Sequence, residues 1–178
     1  ATSALPDSVI QICGDLKTQA ITVGKRFGTV GVKTSDGWCE VTTFRGEHYS
    51  PGDRNPEVSF GYTIDDDLAR RDFTINAIAE NTATGERLDP YGGISDISQK
   101  IIRAVGDPEE RYREDPLRIL RGVRFVSQLG FSIDPATQSG MRNTIAFLGT
   151  LSQERITAEL ERLLIGDFPE KALNLLFQ

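Results

Sequence analysis

The stretch 113-REDPLRILRGVRF-125 combines four arginines with an apolar helical stripe. Asp115 is a residue type that caps helices and Pro116 is one that begins them, so the pattern predicts a helix over about 116–129. Apolar residues recur on one side of this helix, namely Leu117, Ile119, Leu120 and Val123. The stretch therefore predicts a core-anchored helix with its charges on the opposite edge.

The charged edge would carry Glu114, Asp115, Arg118 and Arg121, with Gly122 leaving room beside the arginines. One interpretation is a capped, solvent-facing helix whose charge pairs each contribute a few tenths of a kcal/mol. The other interpretation starts from the edges of nucleobases, because an ionised Asp only accepts hydrogen bonds and an Arg only donates them.

Cytosine and adenine both present an exocyclic amine beside an unprotonated ring nitrogen. Asp115 could accept from the amine while Arg118 donates to the ring nitrogen. Uracil and guanine reverse this pattern, and each unpaired buried polar group costs about 1–3 kcal/mol. A helix of this kind would select C and A without a nucleic-acid template.

The N-terminal part of the chain has the composition of strands. The segments 20-AITV-23, 27-FGTVGVKT-34 and 38-WCEVTTFR-45 are rich in β-branched and aromatic residues, and Ser35-Asp36-Gly37 predicts a hairpin turn between the last two. The following 46–61 is dense in Gly, Pro and charge, and it predicts a mobile loop.

The C-terminal part predicts helices. The pattern becomes helical from Ile64, 88-LDPYGGISDI-97 interrupts it as a joint, and further helices are expected at about 135–148, 153–165 and 169–177. The predicted division is therefore 1–99, rich in strands, and 100–178, helical.

Composition excludes several classes of protein. The 178 residues carry a net charge of −6, so any nucleic-acid contact must be local. Two cysteines and one histidine supply neither a disulfide framework nor a zinc site. No apolar run approaches the roughly 18 residues of a membrane span. We expect a soluble cytoplasmic protein without a membrane partner.

Five ordered motifs carry a resemblance to one family: 40-EVTTFR-45, 70-RRDFTINA-77, 89-DPYGGISD-96, 114-EDPLR-118 and 152-SQERITAEL-160. The sequence resembles the class II tRNA nucleotidyltransferases, the CCA-adding enzymes and their bacterial poly(A) polymerase relatives. The resemblance implies an α+β fold: an incomplete nucleotidyltransferase palm, an antiparallel-rich sheet with helices, followed by an all-helical neck.

The resemblance also implies roles for individual residues. Asp72 and Asn76 would lie near the nucleotide ribose, and Arg70 or Arg71 would meet the triphosphate. Asp115 and Arg118 would read the base, supported by Glu114 and Arg121, and Asp115 would also cap its helix. By residue type alone, 70-RRDFT-74 favours a salt-bridged helix start, and the resemblance reverses that preference. The resemblance gives Glu154-Arg155 a structural role that braces the neck helices.

Glu40 corresponds to the family's third active-site carboxylate, a ligand of Mg²⁺, although a lone strand Glu is usually just solvated. The family's GGxVRD loop, its D-x-D metal ligands, and its C-terminal body and tail have no counterpart in these residues. We therefore expect a fragment that adds no nucleotide by itself.

The resemblance implies the tRNA 3′ end, CTP and ATP as partners of the complete enzyme. A full segment at 46–61 disfavours CC-only addition, and CCA addition ranks ahead of A-only addition or poly(A) synthesis. A non-catalytic nucleotide-binding or interaction module is the alternative of another class.

Overall fold

The computed structural model describes residues 1–48, 57–60 and 63–176. Contacts within the chain divide it into two compact units, 1–70 and 71–178. Both units combine helices with small sheets, which confirms the predicted α+β class.

The first unit is built on an antiparallel three-stranded sheet. Helix α1 (Pro6–Asp15) precedes strands β1 (Ala20–Ile21), β2 (Thr29–Thr34) and β3 (Gly37–Thr42), which lie in the order β1-β2-β3. The β2–β3 hairpin is confirmed, and its turn leads into Gly37 at φ 132°, a conformation that favours glycine. Strand β1 is shorter than predicted because a 3₁₀ turn over Lys25–Phe27 follows it.

A small core holds this unit together. Val9 and Cys13 of α1 pack with Val30 of β2. The opening segment runs beside the end of the hairpin, where the Thr2 N–H donates to the Thr42 carbonyl at 2.8 Å and the Thr43 hydroxyl donates to the Ala4 carbonyl at 2.7 Å.

The prediction of a loop throughout 46–61 is wrong at both ends. Strand β4 (Arg45–His48) pairs antiparallel with β5 (Glu57–Phe60). Backbone groups form this ladder, so polar and charged side chains do not prevent it. The rest of the segment, at 49–56 and 61, lies outside the described residues. Helix α2 (Ile64–Ala69) follows, with Thr63 and Asp66 forming a capping box.

The second unit begins at Arg71, the second residue of the RRDFT motif. A 3₁₀ turn (Thr74–Asn76) leads to the small hairpin of β6 (Ala79–Glu80) and β7 (Arg87–Leu88), and then to helix α3 (Gly93–Gln99). The helices that follow are α4 (Pro108–Glu114), α5 (Leu117–Leu129), α6 (Pro135–Thr144), α7 (Gln153–Leu164) and α8 (Pro169–Leu176), with a 3₁₀ helix (Ile145–Thr150) after α6.

Two features of residues 100–178 differ from the sequence prediction. This segment is not all-helical, because β8 (Ile101–Ile102) pairs in parallel with β9 (Ser132–Ile133). Helix α4 was not expected, although Asp107-Pro108 is the same kind of start signal as Asp115-Pro116: the Asp107 side chain accepts from the Glu110 N–H at 3.0 Å.

One core explains where the second unit begins. Phe73 packs with residues of the helices, among them Tyr112, Ile119, Val123 and Met141. Phe73 and the partly buried Ile75 therefore share a core with the helices, in agreement with a compact unit that begins at Arg71. The domain boundary expected after Gln99 stays a prediction.

The joint 88–97 holds the RRDFT segment in place. The Asp89 carboxylate accepts the N–H groups of Gly93 at 2.6 Å and Ile94 at 2.9 Å, which caps α3. Buried Asp96 accepts from the Thr74 hydroxyl at 2.7 Å and from the Arg103 guanidinium at 3.1 Å. A Cβ at Gly93 would lie 2.1 Å from the Thr74 carbonyl oxygen.

We expect Gly93→Ala to destabilise the chain by about 2 kcal/mol or more, because the new methyl group overlaps backbone that cannot move aside cheaply. Urea unfolding followed by circular dichroism measures this. Gly149→Ala is the matched control, since Gly149 is exposed and a Cβ there meets nothing within 4 Å. Equal unfolding midpoints for the two variants would contradict the packing argument.

Candidate functional site

The predicted base-reading and ribose residues meet in the second unit. Asp72 precedes the 3₁₀ turn Thr74–Asn76, and Asn76 is the last residue of that turn. Arg118 and Arg121 project from α5. The Asp72–Arg121 ion pair joins these two elements across 49 positions of sequence.

Asp72 is buried and has four hydrogen-bond donors. Its Oδ2 accepts from Arg121 Nε at 2.8 Å and Nη2 at 2.6 Å. Its Oδ1 accepts from the Phe73 N–H at 2.9 Å and from Asn76 Nδ2 at 3.0 Å. A carboxylate offers about four acceptor positions, so all of those on Asp72 are in use.

Two opposing effects determine the ionisation of Asp72. Burial by itself raises the pKa of the carboxyl, but the Arg121 charge and the hydrogen bonds from Asn76, Arg121 and the Phe73 N–H outweigh it. The pKa of Asp72 is therefore held below its usual value, and the group remains ionised near neutral pH.

Arg118 is buried and is held by the helix before it. Its Nη1 donates to the Glu114 carboxylate at 3.1 Å and to the Arg111 carbonyl at 3.3 Å. The other Glu114 oxygen accepts from the Arg111 guanidinium. Glu114 thus contacts Arg118 as the sequence suggested, but it does so from the last residue of α4 rather than from an extension of α5.

Asp115 lies at the junction of α4 and α5 in an extended conformation, with φ −140° and ψ 98°. Its Oδ1 accepts from the Leu117 N–H at 3.2 Å, at the start of α5. The expected N-cap position is nevertheless wrong by one residue, because Pro116 is the N-cap and Leu117 the first helical residue. Its ion-pair partner is Arg155 of α7, at 3.2 Å, and not Arg118. The Asp115 side chain is 24% exposed, so part of the carboxylate faces solvent.

The two arginines of the RRDFT motif have different surroundings. Arg70 is the last residue of the first unit and donates to the buried Asp67, with Nη2 at 2.6 Å. Arg71 opens the second unit and donates from Nη1 to the Asn76 carbonyl at 3.1 Å. In this structure, both therefore contribute to local folding, and a contact with triphosphate stays a prediction.

Tyr112 is a polar residue of this region that the sequence did not single out. Its ring is buried in the core, and its hydroxyl has no hydrogen-bond partner among the described residues. Burial raises the pKa of this phenol, the neighbouring charges of Asp72 and Asp134 raise it further, and the Arg118 charge opposes them. The sequence signal that could have indicated Tyr112 is Asp107-Pro108, which begins α4 but was not interpreted as a helix start.

Glu40 lies on β3 of the first unit, opposite Gly31 of β2, and it is exposed. Trp38, on the same face of the strand, is 51% exposed, so this side of the strand is open to solvent. The residues that the structure describes contain no group of three or more His, Cys, Asp or Glu that could hold a metal ion. They do not by themselves fit a Mg²⁺ site.

The α4–α5 junction therefore combines a partly open acceptor with a fixed donor. Asp115 can accept a hydrogen bond only, and Arg118 can donate only. These hydrogen-bonding types match those of an amine beside an unprotonated ring nitrogen. Asp72, in contrast, can accept a new donor only by releasing one of its present four.

The chain matches two family models. The model described as "Poly A polymerase head domain" covers residues 1–103, and the model described as "Probable RNA and SrmB- binding site of polymerase A" covers residues 130–178. None of the helices within the described part of the chain is long and apolar enough to cross a membrane.

Curated relatives agree with the family models. A protein named CCA-adding enzyme from Geobacillus sp. (strain WCH70) is 46% identical over 179 aligned residues, and one from Bacillus subtilis (strain 168) is 47% identical. Both alignments cover 100% of this chain, but only 43% and 44% of the relatives. The chain thus spans less than half the length of the curated relatives it matches.

Solved structures show the same fold. The Bacillus stearothermophilus CCA-adding enzyme in complex with CTP matches 98% of this chain and 41% of its own, with a TM-score of 0.87 and 44% identity. A tRNA nucleotidyltransferase complexed with a primer tRNA and an incoming ATP analog matches 95% of this chain and 47% of its own, with a TM-score of 0.76 and 28% identity.

We expect Asp72→Asn to destabilise the chain by about 2 kcal/mol at pH 7, because Arg121 loses its charged partner. The native pKa of Asp72 is lowered, so its stabilisation is complete above the unfolded-state pKa of about 4 and is lost as the pH falls through the lower native pKa. The difference from wild type should therefore narrow below about pH 4.

Urea unfolding at pH 7 and pH 3 measures this difference. Glu161→Gln is the control, because it removes one negative charge from an exposed position in the same unit. A difference between Asp72→Asn and wild type that is the same at both pH values would contradict the role of the ionised carboxylate.

Proposed function

The chain belongs to the poly A polymerase head-domain family, and from that premise we propose that it is part of a template-independent tRNA nucleotidyltransferase. The complete enzyme would add C and A to the 3′ end of tRNA from CTP and ATP. The observation that carries this proposal is the α4–α5 junction, where Asp115 is a partly open acceptor and Arg118 a fixed donor.

Selection of the base follows from the chemistry of that pair. The Asp115 carboxylate would accept from N4 of cytosine or N6 of adenine, and the Arg118 guanidinium would donate to N3 or N1. Uracil and guanine would place acceptor against acceptor and donor against donor, which costs about 1–3 kcal/mol for each unpaired buried group. The Glu114 contact supports this role because it limits the positions that Arg118 can adopt.

Asp72 and Asn76 are proposed to lie beside the ribose, with Arg121 neutralising Asp72 and Arg70 or Arg71 near the triphosphate. Because four donors already surround Asp72, a ribose 2′-hydroxyl would have to replace one of them. The Arg121 side chain is 34% exposed and is therefore accessible to a ligand.

Glu40 is proposed as one ligand of Mg²⁺ in the complete enzyme. Two-metal catalysis of nucleotidyl transfer activates the attacking hydroxyl and neutralises the leaving pyrophosphate. The described residues supply no complete metal site, so we assign no step of the reaction to them. We place the reaction in the cytoplasm, consistent with two free cysteines.

Poly(A) synthesis is a second candidate, favoured by the description of the matching head-domain model. Poly(A) synthesis would use the same hydrogen-bonding edge of adenine, but it would not require CTP. Sequencing of the products made from an equal mixture of CTP and ATP separates the two functions, since CCA addition gives a defined three-nucleotide end and poly(A) synthesis gives a run of A.

We expect the 178-residue chain alone to add no nucleotide, because Glu40 cannot hold two metal ions unaided. The measurement is transfer of radiolabelled CMP or AMP to a tRNA acceptor in Mg²⁺ buffer, with the full-length protein as the positive control. Robust addition by the isolated chain would contradict the assignment of a partial active site.

In the full-length protein, we expect Asp115→Ala with Arg118→Ala to reduce the preference for CTP and ATP over UTP and GTP by at least about a hundredfold, since two hydrogen-bond mismatches no longer penalise the wrong bases. The ratio of kcat/KM values for CTP and UTP measures this. Arg113→Ala is the control, because Arg113 is exposed and pairs with Glu109. An unchanged preference in the double variant would disprove base reading by this pair.

A further inference from the structure

Arg155, at the start of α7, contacts the proposed acceptor of the base amine. Its Nη2 lies 3.2 Å from Oδ2 and 3.3 Å from Oδ1 of Asp115, across 40 positions of sequence. Arg155 is 43% exposed, so it reaches Asp115 from the solvent side of the junction rather than from the core.

The carboxylate retains room for a ligand despite this contact. From the residues that the structure describes, Asp115 receives three contacts, namely the Leu117 N–H on Oδ1 and the Arg155 Nη2 on each oxygen. About four acceptor positions exist on a carboxylate, so one remains, and it belongs to Oδ2. That remaining position can accept one N–H of a base amine while the Arg155 contact persists.

We infer that Arg155 is a positioning residue for base selection: it fixes the plane of the Asp115 carboxylate so that the remaining Oδ2 position meets the base. This inference rests on the proposed function, because it concerns the same site. It goes beyond a bracing role between neck helices, since bracing would affect all four nucleotides equally.

The physical reason is that a mismatch penalises a wrong base only when the mismatched group cannot turn away. The terminal torsion of an Asp side chain is broad, so the Leu117 N–H alone leaves the carboxylate free to rotate. Without Arg155, the carboxylate could rotate away from the O4 atom of uracil or the O6 atom of guanine. Loss of Arg155 should therefore favour the wrong nucleotides relative to the correct ones.

The test compares Arg155→Met with Arg162→Met in the full-length protein. Arg162 lies on the same helix, is 61% exposed, and its nearest acid is Glu159 at 3.9 Å, so its replacement removes the same charge without touching Asp115. Steady-state kcat/KM is measured for CTP, ATP, UTP and GTP, and urea unfolding of each variant is recorded in parallel.

We expect Arg155→Met to lower the CTP-to-UTP ratio of kcat/KM by about fivefold, because a partly exposed ion pair contributes an interaction of about that size. Arg162→Met should leave the ratio unchanged. In an Asp115→Ala background, Arg155→Met should have no further effect on the ratio, because Arg155 acts through that carboxylate. A role in helix packing alone would lower kcat/KM for all nucleotides in both backgrounds.

The outcomes separate the inference from the function on which it rests. A wild-type protein that does not prefer CTP and ATP overturns the proposed function, and the inference with it. A wild type that discriminates, together with an Arg155→Met variant that discriminates equally well, overturns the inference alone. A change in the ratio that persists in the Asp115→Ala background also overturns it.

Discussion

The Asp72–Arg121 ion pair is the interaction on which the candidate site depends. It joins the RRDFT motif to helix α5, and the residue after Asp72, Phe73, lies in the core of the second unit. Gly122 permits this approach, because a Cβ there would lie 2.9 Å from Cζ of Phe73. A buried charge is tolerated only when it is paired and fully hydrogen-bonded, and Asp72 meets that condition with four donors.

All four arginines of the stretch 113–125 have acidic partners, both the buried Arg118 and Arg124 and the exposed Arg113. Each of them pairs with a different acid: Arg113 with Glu109, Arg118 with Glu114, Arg121 with Asp72, and Arg124 with Glu159. Three of these arginines extend from α5 toward different neighbours, so the helix is oriented by ion pairs as well as by its apolar stripe.

The two aspartates of the site differ in what they can still bind. Asp72 is buried with every acceptor position used, whereas Asp115 is partly exposed and keeps one position open. The first is suited to hold other residues in place, and the second is suited to contact a ligand. This contrast is the reason that we propose base selection at the junction of α4 and α5, where the Leu117 N–H and Arg155 both contact Asp115.

Local sequence determined the helix that begins after Asp115-Pro116, the β2–β3 hairpin and the α+β class, because caps, turns and periodicity act over a few residues. It also indicated Asp115 and Arg118, whose hydrogen-bonding types are independent of fold. Only the tertiary structure decided that Asp115 pairs with Arg155, that Asp72 pairs with Arg121 and that Phe73 shares a core with the helices. Those ion-pair partners are up to 49 positions apart, and packing, not spacing, brings them together.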